Sequence, residues 1–226
     1  MGKAFRIYLK KFWHFLWYSN SVWSWVANVV IAFVLIKFVI YPGIGLLLHT
    51  SYPIVAVVSE SMDHRVLYNP SEDSYVLCGT KFSHPEPVDF DKYWEVCGAW
   101  YERIAGISKE EFQKYPLRNG FSRGDIIILR GKKPEDIKIG EIIVFKANRP
   151  DPIIHRVINK TKHGDEYYFT TKGDHNPRVY PNAEIAEDKI SEERVLGVAL
   201  IRIPWLGYIK IKFVDLLNFM LGKSVV

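Results

Sequence analysis

Acidic residues are missing from the N-terminal part of the chain. None precedes Glu60, whereas Lys3, Arg6, Lys10, Lys11 and Lys37 all lie in that stretch. These five cations equal the net charge of +5, so the remainder is neutral overall. The basic balance is therefore a property of the N-terminus, where it sets membrane topology; it does not read as a phosphate-binding surface, and no nucleic-acid partner is expected. Cysteine is nearly absent too: only Cys78 and Cys97 occur. With scattered histidines they give no metal-ligand spacing, so no metal is expected. They stand either as a disulfide, if their compartment is oxidising, or as two separate buried thiols. The chain also lacks internal repeats, low-complexity tracts and any DNA-binding segment, and with the last goes a self-cleaving repressor.

What is present begins with a long apolar run. Residues 22–41, VWSWVANVVIAFVLIKFVIY, span about 30 Å as a helix, the thickness of a hydrocarbon core. Lys37 near one end can extend its ammonium to the interface, and Trp and Tyr flank both ends. The run is longer than the apolar core of a secretory signal, and Pro42-Gly43-Ile44-Gly45 is a poor cleavage site, so the reading is an uncleaved anchor and not a removed leader. The positive cluster then stays inside and the chain beyond about residue 48 lies outside. Residues 1–21 form a basic, aromatic lead at the inner interface.

Beyond the anchor, a strand-like run, Tyr52 to Val58, leads into Ser59-Glu60-Ser61-Met62. Residues 66–122 differ in character from their surroundings. Phe90, Tyr93, Trp94, Cys97, Trp100, Tyr101 and Ile104 recur at helical spacing, with Asp89 placed as N-cap and Gly106 as stop. Ser108-Lys-Glu-Glu111 has capping-box spacing and opens a second, short helix. From Gly124 the pattern turns to short β-branched runs over 125–130, 141–147, 153–159, 166–171 and 194–203, with His163-Gly164-Asp165 as a hairpin turn. An antiparallel β domain follows from these runs. The C-terminal residues 208–226 mix apolar and charged side chains, as an amphipathic segment does at a membrane surface or against the β domain.

A serine hydroxyl needs a base and an oxyanion-stabilising donor to act as a nucleophile. The candidate base for Ser61 is His155, within Ile153-Ile154-His155-Arg156-Val157; the candidate acid is Asp174, within Thr171-Lys172-Gly173-Asp174-His175-Asn176. Imidazole takes and returns a proton near neutral pH, and a carboxylate on its far nitrogen fixes the tautomer. His64 and His175 stand as alternative bases.

The ordered set of an anchor, Val57-Val58-Ser59-Glu60-Ser61-Met62, Arg123-Gly124-Asp125, Gly140-Glu141-Ile142, His155-Arg156-Val157, Lys172-Gly173-Asp174-His175-Asn176 and Ile203-Pro204-Trp205-Leu206-Gly207 resembles signal peptidase I of the archaeal and endoplasmic-reticulum type, which uses histidine where the bacterial branch uses lysine. The resemblance implies a mostly β fold, with an N-terminal transmembrane helix, a catalytic domain over 50–65 and 123–207, and a small helical insertion over 66–122. It also implies a serine endopeptidase that cleaves signal peptides from preproteins without a cofactor. In this scheme Ser61 is the nucleophile, His155 the general base and Asp174 its orienting acid, with Ser59 and the backbone N–H of Ser61 as oxyanion hole. Its partners are preprotein signal peptides, the lipid bilayer and translocon or accessory subunits, and its membrane is the archaeal cell membrane before the endoplasmic reticulum. Three departures stand out. Met62-Asp63-His64 replaces the usual Met-Glu-Pro. Tyr180 occupies the place of a second aspartate, which leaves Glu184 or Asp188 as substitutes. The insertion, either a packed flap or a lid or partner surface near the cleft, occupies a span where many relatives have only a few residues. Lys146 reads as a solvated strand end.

Overall fold

A computed structural model describes residues 2–209 and 211–213, so most of the C-terminal segment 208–226 lies outside the described residues. The chain divides into two compact units, Met1–Leu47 and Leu48–Val226.

In the first unit, a helix over Gly2–Tyr18 is followed by an apolar one. Ser21 caps the second, its side-chain oxygen accepting the Ser24 backbone N–H. The Ser24 hydroxyl donates to the Phe15 carbonyl at 2.6 Å and the Asn28 amide to the Leu16 carbonyl at 2.8 Å, which satisfies carbonyls that the end of the first helix leaves open. The apolar helix runs over Val22–Leu47, beyond the expected end at Tyr41. Proline lacks an N–H and its ring crowds the carbonyl four residues back, so Pro42 should break a regular helix. Instead residues Ile36–Ile40 widen into a π turn, with the Tyr41 N–H on the Ile36 carbonyl, and the helix passes through. By length and composition it can cross a membrane.

The second unit is mostly antiparallel sheet. Strands β1 (Ile54–Ala56), β5 (Ile126–Arg130), β6 (Ile142–Phe145), β7 (Ile153–His163), β8 (Glu166–Lys172), β9 (Ile190–Ser191) and β10 (Val195–Ile203) form one sheet in the order β1-β5-β10-β6-β7-β8-β9. Strand β6 is buried on both faces, and its side chains divide by the alternation of a pleated strand. Ile142 and Val144 join Val57, Met62, Ile127 and Leu129 in one core, while Ile143 and Phe145 join Val157, Phe169 and Val198 in another. That division carries through to β7, where Ile143 faces His155 and Ile142 faces Arg156 in register. Neighbouring His155 and Arg156 therefore serve opposite faces of the sheet.

The expected insertion is more than helical. Between β1 and β5 it holds a second sheet, β2 (Leu67–Asn69), β3 (Ser74–Leu77) and β4 (Thr80–Phe82), ahead of its helices. The main helix covers Phe90–Trp100, capped by the Asp89 side chain on the Lys92 N–H, and continues as a π turn to Gly106 in left-handed backbone. Ser108 caps the short helix Lys109–Phe112. Tyr93, Tyr101 and Phe112 are fully buried in a third core, together with Leu77, Cys97 and Ile158. Cys78 and Cys97 form a disulfide, which settles the open alternative.

Candidate active site

Leaving β1, the chain makes its last ladder contacts at Val57, which donates to the Asp125 carbonyl and accepts from the Gly124 N–H, both at 2.9 Å. It then turns outward, closed by the Asp63 N–H on the Glu60 carbonyl. Met62 anchors the turn in the core at 1% exposure, leaving Ser59 exposed and Ser61 half-buried. Ser61 Oγ lies 2.9 Å from His155 Nε2. Ser59 Oγ is 3.2 Å from Ser61 Oγ. The other ring nitrogen of His155, Nδ1, is bonded to Oε1 of Glu187. A carboxylate only accepts, so Nδ1 carries the proton and Nε2 is left to accept the serine hydroxyl. Glu187 is fully buried, its second oxygen accepts the Tyr180 N–H at 2.7 Å, and its carbonyl accepts the Thr171 N–H at the end of β8. Gly173 closes the floor: a Cβ there would lie 2.7 Å from the Ser61 carbonyl and 2.8 Å from His155 Nε2.

Asp174 is not brought to His155. Its carboxylate takes Arg156 in a fork, Nε to Oδ1 at 2.9 Å and Nη2 to Oδ2 at 2.6 Å. It also takes His64 at 3.0 Å and the Tyr101 hydroxyl at 3.1 Å. The reason is the strand period: a group that meets Arg156 lies across the sheet from the His155 side chain. The remaining guanidinium hydrogens go to the carbonyls of Pro116, Gly140 and Leu117. Burial pushes the Asp174 carboxyl up, but the Arg156 charge and the bonds from His64 and Arg156 outweigh it and hold it well below the usual carboxylate range. This is a structural anion.

The other candidates have separate partners. His64 lies flat on Tyr93, ring centroids 3.6 Å apart and planes 1° from parallel, with its Nε2 turned to Asp174. Burial lowers its pKa against the pull of that carboxylate. His175 Nδ1 faces the Asp63 carbonyl at 3.0 Å while its backbone N–H donates to the Ser61 carbonyl at 2.9 Å. Lys146 is exposed, and so are Glu184 and Asp188. The acid that does reach His155, Glu187, lies between those last two. A carboxylate-rich stretch after Tyr180 was the only sequence signal for it; which member turns inward depends on a loop without periodicity. The loop itself folds back on Tyr180, whose N–H holds the Glu187 carboxylate.

No family model matches the chain. The curated relatives include the signal peptidase complex catalytic subunits of Sclerotinia sclerotiorum, 35% identical over 100 residues, and of Neurospora crassa, 32% over 100 residues. That of Metarhizium robertsii is 31% identical over 101 residues. Each match covers 42% of this chain and 57% of the relative, so the chain spans a little over half the length of the curated relatives it matches. These relatives are fungal, and the expectation of an archaeal membrane finds no support in them. Over that shared stretch, the chain is a homologue of signal peptidase complex catalytic subunits.

Proposed function

We propose that this chain is a membrane-anchored serine endopeptidase that removes signal peptides from preproteins. The observation that carries the reading is the line of hydrogen bonds from Ser61 through His155 to Glu187, in a homologue of signal peptidase catalytic subunits. In the reaction, His155 Nε2 takes the Ser61 proton as Oγ attacks the scissile carbonyl. Glu187 keeps the proton on Nδ1 and stabilises the imidazolium that forms. The Ser61 backbone N–H and the Ser59 hydroxyl receive the oxyanion. The imidazolium then protonates the leaving amine, and water deprotonated by His155 hydrolyses the ester. Glu187 takes the role that sequence reasoning gave to Asp174. Asp174 instead fixes the loop carrying Gly173 and His175. No cofactor enters any step.

Signal peptides and the bilayer are the partners of this reading, with accessory subunits suggested by the word complex in the relatives' names. The basic lead stays on the inner side and the second unit faces outward. The test is cleavage of a preprotein by purified protein in liposomes. Ser61→Ala, His155→Ala and His155→Lys should each abolish turnover, and Glu187→Gln should lower kcat by roughly 10²–10⁴-fold by freeing the wrong tautomer. Full activity in Ser61→Ala, or full activity in Glu187→Gln, would refute the corresponding assignment. Binding of signal peptides with no acyl adduct at Ser61 would leave a scaffold in place of an enzyme.

A further inference from the structure

Three parts of the insertion converge on the loop that follows β8. The first is the tip of the β3–β4 hairpin, Cys78-Gly79, where both residues have positive φ, 50° and 81°. Cys78 donates its N–H to the His175 carbonyl at 3.1 Å, and Pro177 lies 2.9 Å from where a Gly79 Cβ would be. The second is the main helix, whose Tyr93 hydroxyl donates to the Asp174 carbonyl at 2.9 Å. The third is the π turn that ends it. There the Tyr101 hydroxyl donates to Asp174 Oδ1, and the rings of Tyr101 and of Trp100, the last residue of the helix, lie 4.7 and 5.2 Å from the buried Lys172 ammonium, which donates to the Gly173 carbonyl.

The Cys78–Cys97 disulfide joins the hairpin tip to the helix. Two-residue turns with both φ positive favour Asn, Asp and Gly, so a cysteine at φ 50° is held there against its own preference. On its opposite side the same loop touches the reacting groups, through the His175 N–H on the Ser61 carbonyl and Gly173 against His155.

We infer that residues 66–122 act as a brace that sets the 173–176 loop beneath Ser61 and His155. Tyr93 and Tyr101 are its positioning residues, and the disulfide is the bond that keeps it closed. The inference rests on the peptidase reading above. A dithiol reductant would open it: two electrons and two protons pass to the sulfurs of Cys78 and Cys97 to give two thiols, while the dithiol closes to its own disulfide. The hairpin tip is then free to leave His175, and the floor under the serine loses one wall. A misplacement of about 1 Å at reacting groups lowers turnover by up to ~100-fold. The brace acts through the loop beneath the reacting groups, so the loss should fall on kcat and leave KM in place.

The experiment uses the full chain in detergent, oxidised or treated with dithiothreitol, beside the double variant Cys78→Ala/Cys97→Ala and Tyr93→Phe. Backbone hydrogen exchange of peptides covering 172–178 should quicken roughly tenfold on reduction and in both variants, with β6 and β7 unchanged, as local opening requires. In parallel, kcat should fall by about tenfold at constant KM, and reoxidation should restore the reduced protein but leave the double variant low. Equal exchange in the two redox states overturns the brace, as does a change confined to KM or a loss of protection throughout β6 and β7. If even the oxidised protein cleaves no preprotein, the peptidase reading fails, and the exchange data alone then decide the brace.

Discussion

His64 shows how far a residue's type can mislead when its packing is hidden. An imidazole three positions from a serine looks like a competing base, yet stacking on Tyr93 and a bond to Asp174 commit both its face and its edge. Its burial has a measurable consequence. A histidine whose folded pKa is lowered refuses a proton that the unfolded chain accepts, so below the unfolded value near 6.5 the unfolded state binds more protons and stability falls as the pH drops. His175, also lowered by burial, acts in the same direction. Asp174 acts separately: its folded pKa is depressed, so its contribution is complete above about pH 4 and is lost only in stronger acid. The melting temperature should therefore decline between pH 7 and pH 5, and His64→Gln should flatten that decline. An unchanged slope in His64→Gln would show that the titrating groups lie elsewhere.

Among the elements, β7 carries the division of labour. Its His155 face carries the imidazole that meets Ser61 and Glu187, and its Arg156 face ties three segments to the strand, the guanidinium reaching Asp174, Gly140 and the 116–117 turn of the insertion. Removing one partner of a buried charge pair strands the other, at about 3–5 kcal/mol. Asp174→Asn should thus lower the unfolding free energy by that order in a denaturant titration. Glu187→Gln, which strands no permanent charge, should lower it far less. Equal losses would undo the distinction between a structural and an orienting acid. The five runs from Asp125 onward and the caps at Asp89 and Ser108 were legible because periodicity and cap chemistry are local. The β2–β4 sheet was not, since strands of three and four residues among Asn, Pro, Ser, Asp and Gly carry too little alternation to register. Ser61 and His155 were legible as a pair from motif order. Glu187 was not, because its place depends on a loop closed by its own hydrogen bond to Tyr180.

For the whole molecule, the apolar helix of the first unit is the candidate membrane anchor. If the apolar helix spans a bilayer, alkaline carbonate should leave the full chain in the membrane fraction, and a variant lacking residues 1–47 should be extracted; extraction of the full chain would rule the anchor out. The π turn at Ile36–Ile40 has a further consequence here. By letting the helix continue through Pro42 to Leu47, it yields a rod of 26 residues, about 39 Å long at 1.5 Å per residue. A hydrocarbon layer of about 30 Å is shorter than that, so a rod that spans it must tilt or lift its last apolar turn into the headgroups. Either adjustment relaxes as the bilayer thickens, so the tilt of a spanning helix of this length should fall as the lipid acyl chains are lengthened.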